Sequence, residues 1–456
     1  MITYTLTLTQ RRLNLTSTLV PALLLAPLLP LPAQSTWKTL ADFECGPPAS
    51  INALAKDAEG NLYAAISTSD ENNRMHAQIR KSSDQGVTWA VIDTLAAGRL
   101  GAAQYQSLSA HPGGHLYAAG YFTAEDGTQH WLVRKSGPGG MSWATVDDFA
   151  LPGGQRAAAQ ALTVDANGHV YVVGFGDESM ESEQFQARTH WLVRHSRDRG
   201  QSWTTIDDFA DGFSAKAAAV LHSTNGLFVA GSGRNGNRDA GERWLVRKGT
   251  VGDHGSFRWQ TVDDFQLQKV EPGRQTGGLA SDLALDAKGN LYAVGRSYVF
   301  ASDGRSAHWV VRRASSTGTD WAVVDTFQLR EGHFAAASGV ASAGRQGVYV
   351  VGRAADQTGA HWIVRHSATG AAGSWSVSDH FTGSTAKAVL SGANLISRTP
   401  DGSLMSSAAA YATGLAIVSD ATGVLTGGSV TAETSHALVR KLEFVNPTKL
   451  AATGAQ

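Results

Sequence analysis

A motif marked by tryptophan recurs along the chain, and it constrains the fold more than any other feature of the sequence. One copy reads HWLVRHSRDRGQSWTTIDDF from His190. Related copies begin at His76, His130, Arg243, His308 and His361. Half a copy, HALVRKLEF, begins at His436, and the missing half, WKTLADF, begins at Trp37. All 12 tryptophans belong to these copies, so the chain is a tandem repeat.

A second pattern precedes each full copy of the motif. Examples are ALAKDAEGNLYAA from Ala53 and LTVDANGHVYVVG from Leu162. Each reads as two apolar strands joined by a tight turn, in which glycine accepts a positive φ. The complete repeat therefore holds four strands, and four strands per period predict an all-β fold, the β-propeller with four-stranded antiparallel blades.

The split copy predicts how the propeller closes. The last repeat ends after its third strand, whereas the strand at Trp37 has no partners of its own in the sequence. An N-terminal strand that completes the last blade gives seven blades over residues 35–446 and removes the exposed edges of an open array. The alternative, a linear solenoid, requires capping repeats and leaves both half-copies unpaired.

The first 34 residues differ in composition from the repeats. Arg11 and Arg12 precede the apolar run LVPALLLAPLLPLPA, and this order is typical of a secretory signal. A membrane anchor is the alternative, but the run is short and rich in proline. We expect residues 1–34 to be removed and the mature chain to be secreted, periplasmic or held in the cell envelope. Residues 447–456 then form a C-terminal tail.

The charge and the residue types exclude several classes of partner. A net charge of −1 gives no electrostatic reason to bind nucleic acid or an anionic membrane. The single cysteine, Cys45, excludes an intrachain disulfide. No cofactor motif and no set of metal ligands rises above the repeat background. We therefore predict no cofactor, no metal and no stable membrane span in the mature chain.

Two of the turns inside the repeats match a known motif. SSDQGVTW and SRDRGQSW both fit Ser-x-Asp-x-Gly-x-Thr/Ser-Trp. The matching residues are Ser82, Asp84, Gly86 and Trp89 in one turn, and Ser196, Asp198, Gly200 and Trp203 in the other. This pattern resembles the Asp-box of BNR, or sialidase-like, propellers. The resemblance implies a propeller whose ligand-binding face lies opposite the Asp-boxes, and it implies nothing about activity.

The histidine and arginine of the motif look catalytic but recur in almost every repeat. If the third and fourth strands form a hairpin, Arg194 falls opposite Trp203 and His190 falls near Asp207. An arginine–tryptophan stack and a histidine–carboxylate bond are the contacts that this register predicts. Since an enzyme does not need one active site per repeat, we interpret these residues as structural.

The face opposite the Asp-boxes carries the candidate ligand-binding residues. A cation recurs shortly before the inner strands, at Arg99, Arg156, Lys216, Arg274 and Lys387, with His333 in one repeat. Such a partial ring of cations suits a carboxylate-bearing ligand, for example a uronate, a sialate or an acidic peptide. A set of solvated loop cations is the alternative.

Residues that break the repeat are further candidates. Tyr105, Tyr121, Tyr298 and Tyr411 depart from the regular tyrosines and fall at strand or loop ends on the same face. The largest departure is an insertion over residues 382–412, which is either a functional lid or a mobile loop.

Two functions compete on these observations. The first is a non-catalytic propeller that binds a glycan, peptide or protein. The second is a sialidase-like glycoside hydrolase or a polysaccharide lyase acting on an anionic glycan. The resemblance to sialidases implies three arginines together with a tyrosine–glutamate pair, and the sequence alone does not place such a set. A passive envelope or matrix protein is a third alternative.

Overall fold

The structure is a computed structural model that describes residues 36–70, 74–96, 102–111, 113–178, 188–235, 241–252, 255–267, 275–301, 304–382, 410–419, 423–431 and 435–444. The chain divides into two compact units, Met1–Ser35 and Thr36–Gln456, and all described residues belong to the second. The predicted signal segment 1–34, the tail 447–456 and most of the insertion 382–412 lie outside the described residues. Among the described residues, no helix is long and apolar enough to cross a membrane.

Regular structure in the described residues is almost entirely β-strand, as the repeats predict. The first strands are β1 (Trp37–Lys56), β2 (Leu62–Ser69), β3 (Met75–Ser82), β4 (Ala90–Leu95), β5 (Ala103–Ala110), β6 (Leu116–Thr123), β7 (Gln129–Lys135), β8 (Ala144–Phe149), β9 (Ala157–Val164), β10 (Val170–Asp177), β11 (Thr189–Ser196) and β12 (Thr204–Phe209). They are followed by β13 (Ser214–Ser223), β14 (Gly226–Arg234), β15 (Arg243–Val251), β16 (Phe257–Phe265), β17 (Gln275–Leu285), β18 (Leu291–Ala301), β19 (Gly304–Ala314) and β20 (Ala322–Phe327). The last are β21 (Ala335–Ser342), β22 (Val348–Asp356), β23 (Gly359–Ser367), β24 (Ser376–Phe381), β25 (Ala410–Ser419), β26 (Gly423–Thr431) and β27 (Ser435–Glu443). Short 3-10 turns lie at Pro138–Gly140 and Gly344–Gln346.

Antiparallel pairing joins the strands into blades of four. Strands β5 to β8 pair in chain order, and the same holds for β9 to β12, β13 to β16, β17 to β20 and β21 to β24. The inner strand of each blade contacts the inner strand of the next, from β5 through β9, β13, β17 and β21 to β25. The fold is a β-propeller of four-stranded antiparallel blades.

Strand β1 belongs to two blades at once. Its first part, Trp37 to Cys45, pairs with β27, and its second part pairs with β2 as the inner strand of the first blade. Strand β25 contacts β1, and His436 Nδ1 lies 2.7 Å from Asp42 Oδ1 across the β1–β27 pair. The N-terminal strand therefore lies beside the last strand, as the split repeat predicts.

The tryptophans of the third strands form the core between blades. Five of them are fully buried: Trp131, Trp191, Trp244, Trp309 and Trp362. Four of them, Trp131, Trp191, Trp244 and Trp309, lie against a glycine in the second strand of the following blade. A Cβ at Gly174 would lie 2.8 Å from Trp131 Cζ3, and a Cβ at Gly231 would lie 2.8 Å from Trp191 Cζ3. The glycine is required because no side chain fits beside the ring.

The arginine of the motif bridges neighbouring blades, which corrects the predicted stack of Arg194 on Trp203. Trp203 lies in the turn before β12, and a bulge places Arg194 beside Thr205. Arg194 instead donates to both carboxylate oxygens of Asp147 in the preceding blade, at 2.7 Å each. Its guanidinium also lies 4.0 Å from the centre of the Phe149 ring.

This inter-blade ion pair recurs around the propeller. The equivalent pairs are Arg134–Asp93, Arg247–Asp207, Arg312–Asp263, Arg365–Asp325 and Arg440–Asp379, with N–O distances of 2.6 to 3.0 Å. Between the last blade and the first, Ala41 takes the place of the aspartate. Arg80 there lies 4.7 Å from the Phe43 ring and donates to Gln78.

The histidine of the motif bonds the second aspartate of its blade, not the first. His190 Nδ1 lies 2.5 Å from Asp208, and His130 Nδ1 lies 2.6 Å from Asp148. The predicted partner Asp207 is engaged by Arg247 of the next blade. The prediction of a histidine–carboxylate contact was correct in kind and wrong by one residue, because the predicted register lacked the bulge.

Candidate functional site

Alternation of the strands gives the propeller two distinct faces. The hairpins between first and second strands and between third and fourth strands lie on one side, which we call the turn face. The connections between second and third strands and between blades lie on the other, which we call the upper face. Of the predicted cations on the upper face, Arg156, Lys216 and His333 are described, whereas Arg99, Arg274 and Lys387 lie outside the described residues.

Lys216 lies on the inner strand β13 near its upper end. Its Nζ is 4.7 Å from the centre of the Phe175 ring, which follows the glycine of the second strand in the preceding blade. Burial lowers the pKa of Lys216, and the nearby guanidinium of Arg156 lowers that pKa further. Within the described residues Lys216 makes no hydrogen bond or ion pair, so its charge is compensated only in part.

Arg156 stands beside Lys216 at the start of β9. Its Nε lies 2.8 Å from Asp177 Oδ2, and its side chain is 57% exposed whereas that of Asp177 is 4% exposed. Asp177 also accepts a hydrogen bond from Thr189 Oγ1 at 3.0 Å. The carboxylate thus holds one edge of the guanidinium, and the rest of the guanidinium faces solvent.

A second group of polar residues extends the site from the blade that holds Lys216 to the blade that follows it. Arg234 Nη2 lies 3.9 Å from Glu242 Oε1, and the backbone N–H of Glu242 donates to Tyr298 Oη at 3.3 Å. Tyr298 is buried. Burial raises the pKa of the Tyr298 hydroxyl, and the charge of Glu242 raises it further.

Two further arginines lie near a single aromatic ring, that of Phe334. The guanidinium carbon of Arg296 lies 5.7 Å from the centre of Phe334, and that of Arg353 lies 4.6 Å from it. Burial lowers the pKa of Arg296, against the opposing effect of Glu242. Arg296 makes no hydrogen bond or ion pair with any residue that the structure describes.

These residues form one continuous set, which we call the channel-mouth cluster. Its cations are Arg156, Lys216, Arg234, Arg296 and Arg353, and its carboxylates are Asp177 and Glu242. Among its described members the cations outnumber the carboxylates, and Phe175 and Phe334 supply apolar surface between them. A partly desolvated cationic surface of this kind binds anions more strongly than an exposed one does, because the effective dielectric constant is lower.

The structure places two predicted tyrosines elsewhere. Tyr105 is buried between blades, where its hydroxyl donates to Asp93 at 2.5 Å and accepts from Arg134 at 3.0 Å. Tyr121 donates to Gln104 at 2.9 Å. Tyr105 lies outside the channel-mouth cluster, Tyr298 belongs to it, and Tyr121 occupies in the preceding blade the strand position that Phe175 holds in the cluster. The backbone of Tyr411 lies in β25, and its side chain lies outside the described residues.

Sequence reasoning missed Phe175, Arg296 and Arg353. All three occupy the position directly after the glycine of a second strand, in the sequences VVGF, AVGR and VVGR. The equivalent residues Tyr121 and Ser232 show that this position varies from repeat to repeat while its neighbours do not. This variation among the repeats is the signal by which these residues could have been identified from the sequence.

On the turn face, the two predicted Asp-box turns share one hydrogen-bond pattern. Asp84 accepts from the backbone N–H of Thr88 at 2.9 Å and from its hydroxyl at 2.5 Å, and Ser82 Oγ accepts from Gly86 N at 2.7 Å. Trp89 Nε1 donates to the Gly86 carbonyl at 3.0 Å. The bonds from Thr88 lower the pKa of Asp84 to about 2.

The second of these turns repeats the aspartate and serine bonds, whereas Trp203 Nε1 has no hydrogen-bond partner among the described residues. Asp198 accepts from Ser202 N at 2.8 Å, and Gly200 N donates to Ser196 Oγ at 2.7 Å. Gly200 has a φ of 93°, which a side chain would strain. Trp203 packs against the same core cluster as Val146. The aspartates are therefore used within the turns and are not presented to a ligand.

Among the described residues, no group of three or more His, Cys, Asp or Glu side chains is arranged to hold a metal ion. No protein-family model matches the sequence, and no curated protein matches it.

Solved structures resemble the chain in fold. An ulvan lyase of polysaccharide lyase family PL25, bound to a -[GlcA(1-4)Rha3S]- saccharide, aligns with a TM-score of 0.52 and 12% identity over 91% of this chain and 98% of its own. YCF48 bound to D1 peptide aligns with a TM-score of 0.48 and 9% identity over 90% and 97%. An α-L-arabinanase from Penicillium chrysogenum, complexed with arabinobiose, aligns with a TM-score of 0.44 and 12% identity over 90% and 98%. The likeness to the ulvan lyase shows that this chain shares the β-propeller fold.

Proposed function

We propose that the protein is an exported, non-catalytic propeller that binds an anionic ligand through the channel-mouth cluster. The ligand carries carboxylates, as in a uronate-containing glycan, a sialoglycan or an acidic peptide. The observation that carries the proposal is the pairing of Lys216 with Arg156 beside Phe175, in a cluster where cations exceed carboxylates.

We further propose that the propeller has seven blades and is closed by the N-terminal strand. The pairing of β1 with β27 and the contact between β25 and β1 support closure. The hydrogen bonds of the turns at Asp84 and Asp198 support kinship with Asp-box propellers. The apolar run behind Arg11 and Arg12 supports export.

The chemistry of the cluster favours a carboxylate attached to a ring. Lys216 offers one partly buried ammonium group. Arg156, which is close enough to lower the pKa of Lys216, offers the exposed edge of a guanidinium. Each can donate charge-assisted hydrogen bonds to a carboxylate. Phe175 and Phe334 present ring surface next to the cations, and the apolar face of a sugar packs well on such rings.

Binding is tested with oligogalacturonate as the acidic probe and its methyl ester as the matched neutral probe. We expect titration calorimetry to detect oligogalacturonate alone, with an affinity that falls as salt rises. Lys216→Met should weaken binding about tenfold, the loss of one charge-assisted contact of about 1.4 kcal/mol. Lys288→Met, at an exposed turn-face lysine, is the control and should not change it. Equal binding of acid and ester, or no binding to either, would contradict the proposal.

A second candidate is an enzyme acting on an anionic glycan. The convergence of Arg234, Arg296 and Arg353 with Tyr298 and Glu242 favours it, because the resemblance to sialidases implies such a set. The buried Tyr298 with its raised pKa argues against a tyrosine nucleophile. Incubation of oligogalacturonate and sialyllactose with the protein separates the two candidates. Release of unsaturated ends or of free sialic acid would replace the binding proposal with the enzymatic one.

A further inference from the structure

The turn face contains a cavity of about 500 Å³ between the last blade and the first. Leu62, Val418, Leu425 and Phe444 supply its apolar surface, and Gln85 and Lys441 also line it. It lies on the face away from the channel-mouth cluster, so it is separate from the proposed anion site. We call it the seam cavity.

The other blades have an aromatic ring at the corresponding place. An aromatic residue lies near the start of each second strand there, and the lysine, arginine or histidine that follows the motif arginine in the third strand lies over its ring. The pairs are Lys81–Tyr63, Lys135–Tyr117, His195–Tyr171, Lys248–Phe228, Arg313–Tyr292 and His366–Tyr349, with distances of 4.3 to 6.0 Å to the ring centre.

The turn of the following blade covers the same ring from the other side. A Cβ built on Gly140 would lie 3.5 Å from Tyr63 Cε1, and one on Gly200 would lie 3.8 Å from Tyr117 Cε1. The rings of Tyr63, Tyr117, Phe228 and Tyr292 are therefore enclosed between a lysine or arginine of their own blade and a glycine of the next. The ring fills the space between two adjacent turns.

The last blade keeps this arrangement except for the ring. Leu425 pairs with Lys441 in the same register in which Tyr63 pairs with Lys81 and Tyr117 pairs with Lys135. Lys441 bonds Glu443 at 2.7 Å. Leu425 thus lines the seam cavity at the position where the other blades hold a ring.

We propose that the seam cavity binds a small ligand that carries an aromatic ring, with a phenol as the best-fitting class. The ring would occupy the place that tyrosine takes in the other blades, beside Lys441 and against Leu425. Apolar surface inside a protein cavity accepts a single aromatic ring, because burial of the ring replaces lost dispersion contacts.

A hydroxyl on the ring matches the polar part of the lining. In the sister sites, Tyr63 Oη donates to Asp57 at 2.9 Å and Tyr292 Oη donates to Asp286 at 3.1 Å. Glu59, Ser83 and Gln85 supply oxygen acceptors around the seam cavity. A phenol therefore gains a hydrogen bond that benzene does not.

The probe for this site is p-cresol, which is the free form of the tyrosine side chain. We expect saturable binding to the wild-type protein by titration calorimetry, and a melting temperature that rises with p-cresol concentration. Leu425→Tyr and Leu425→Phe place a ring in the cavity and should weaken p-cresol binding at least about tenfold. Leu285→Phe, which adds a ring at an exposed strand end, should leave binding unchanged.

A reciprocal variant keeps the test decisive if the filled variants fold poorly. Tyr117→Leu should create a second p-cresol site, so the stoichiometry should double and p-cresol should restore part of the lost melting temperature. No saturable binding to wild type would overturn the proposal, and so would binding that both Leu425 variants retain. Neither result affects the anion proposal, since oligogalacturonate is titrated on the other face.

Discussion

Arg194 and Asp147 lie in different blades, yet they form a bidentate ion pair with both N–O distances at 2.7 Å. The arginine side chain is 10% exposed and the aspartate side chain 5%. The pair is therefore a fixed part of the blade boundary, and its equivalents repeat at most of the other boundaries. It explains the adjacent aspartates of two repeats, Asp147–Asp148 and Asp207–Asp208, because the second aspartate serves the histidine of its own blade and the first serves the arginine of the next.

Removing one member of this pair should strongly destabilise the protein. Asp147→Asn leaves the Arg194 guanidinium buried without a counter-charge, and we expect a loss of about 3–5 kcal/mol in the free energy of unfolding. Urea unfolding followed by tryptophan fluorescence measures it. Arg80→Met at the seam is the matched control, since Arg80 has no aspartate opposite. A loss as large for Arg80→Met as for Asp147→Asn would show that the ion pair is not the cause.

Supplying the missing aspartate should stabilise the seam. Ala41 pairs with Val439 next to a β-bulge. Asp207 pairs with Val193 at the equivalent position, next to the bulge of its own blade. Ala41→Asp should therefore reach Arg80 and raise the free energy of unfolding by about 1–2 kcal/mol at pH 7. The gain should vanish near pH 3, where the carboxylate is protonated. A destabilised variant at pH 7 would contradict the predicted geometry.

Asp282 on β17 should make the protein less stable as pH rises. Its carboxylate accepts from the backbone N–H groups of Leu283 and Val340, both at 2.8 Å, and burial raises its pKa to about 7. The folded state thus favours the protonated form. Its contribution to stability is complete below the unfolded pKa of 3.8 and is lost as pH rises through about 7.

Asp282→Ser is the variant that tests this dependence. Ser107 occupies the equivalent position in another blade, where its Oγ accepts from Leu162 N at 3.1 Å. Relative to wild type, the variant should gain about 1–3 kcal/mol between pH 5 and pH 8 in urea unfolding. A difference between the two proteins that does not change with pH would refute the raised pKa.

His195 should give the opposite pH dependence. Its ring is buried and stacks on Tyr171 at 4.4 Å, and no hydrogen-bond partner of either ring nitrogen lies among the described residues. Burial, together with the charge of Arg197, lowers its pKa to about 4. Its contribution to stability is present above about pH 6.5 and is lost as pH falls toward 4.

Replacing His195 should therefore improve stability in acid. His195→Phe keeps a ring on Tyr171 and removes the titrating group, so its melting temperature should fall less than that of wild type between pH 7 and pH 4.5. His366→Phe is the matched control. His366 stacks on Tyr349 at 4.3 Å, but its Nε2 already lies 2.6 Å from the Gln346 carbonyl oxygen. Equal acid sensitivity in wild type and His195→Phe would exclude this histidine as the cause.

The repeat pattern predicts the strands and the pairing of β1 with β27 because both follow from periodicity. It fails at Arg194, since the β-bulge at Ile206 and the long turn that holds Trp203 are not visible in the spacing of residue types. Inter-blade contacts were missed for the same reason. A repeat shows which residues recur, but not whether Asp207 faces its own blade or the next.

The candidate site was predictable only in part. Arg156 and Lys216 were identified because a cation recurs before the inner strands, and Tyr298 because it interrupts the repeats; the structure brings the three residues into one cluster. Tyr105 interrupts its repeat as well, yet its hydroxyl serves Asp93 and Arg134 inside the protein. Departure from a repeat therefore indicates a special role, and burial decides whether that role concerns a ligand or the fold.

The affinity for oligogalacturonate of variants within and outside the channel-mouth cluster tests the central claim most directly. Titration calorimetry at fixed low salt compares the single variant Arg296→Met with the double variant that combines Arg296→Met and Lys216→Met. The control is Arg258→Met, at an exposed arginine on the turn face. We predict about tenfold weaker binding for Arg296→Met, a larger loss for the double variant and an unchanged affinity for Arg258→Met. Equal affinities for wild type, Arg296→Met and Arg258→Met would contradict the account.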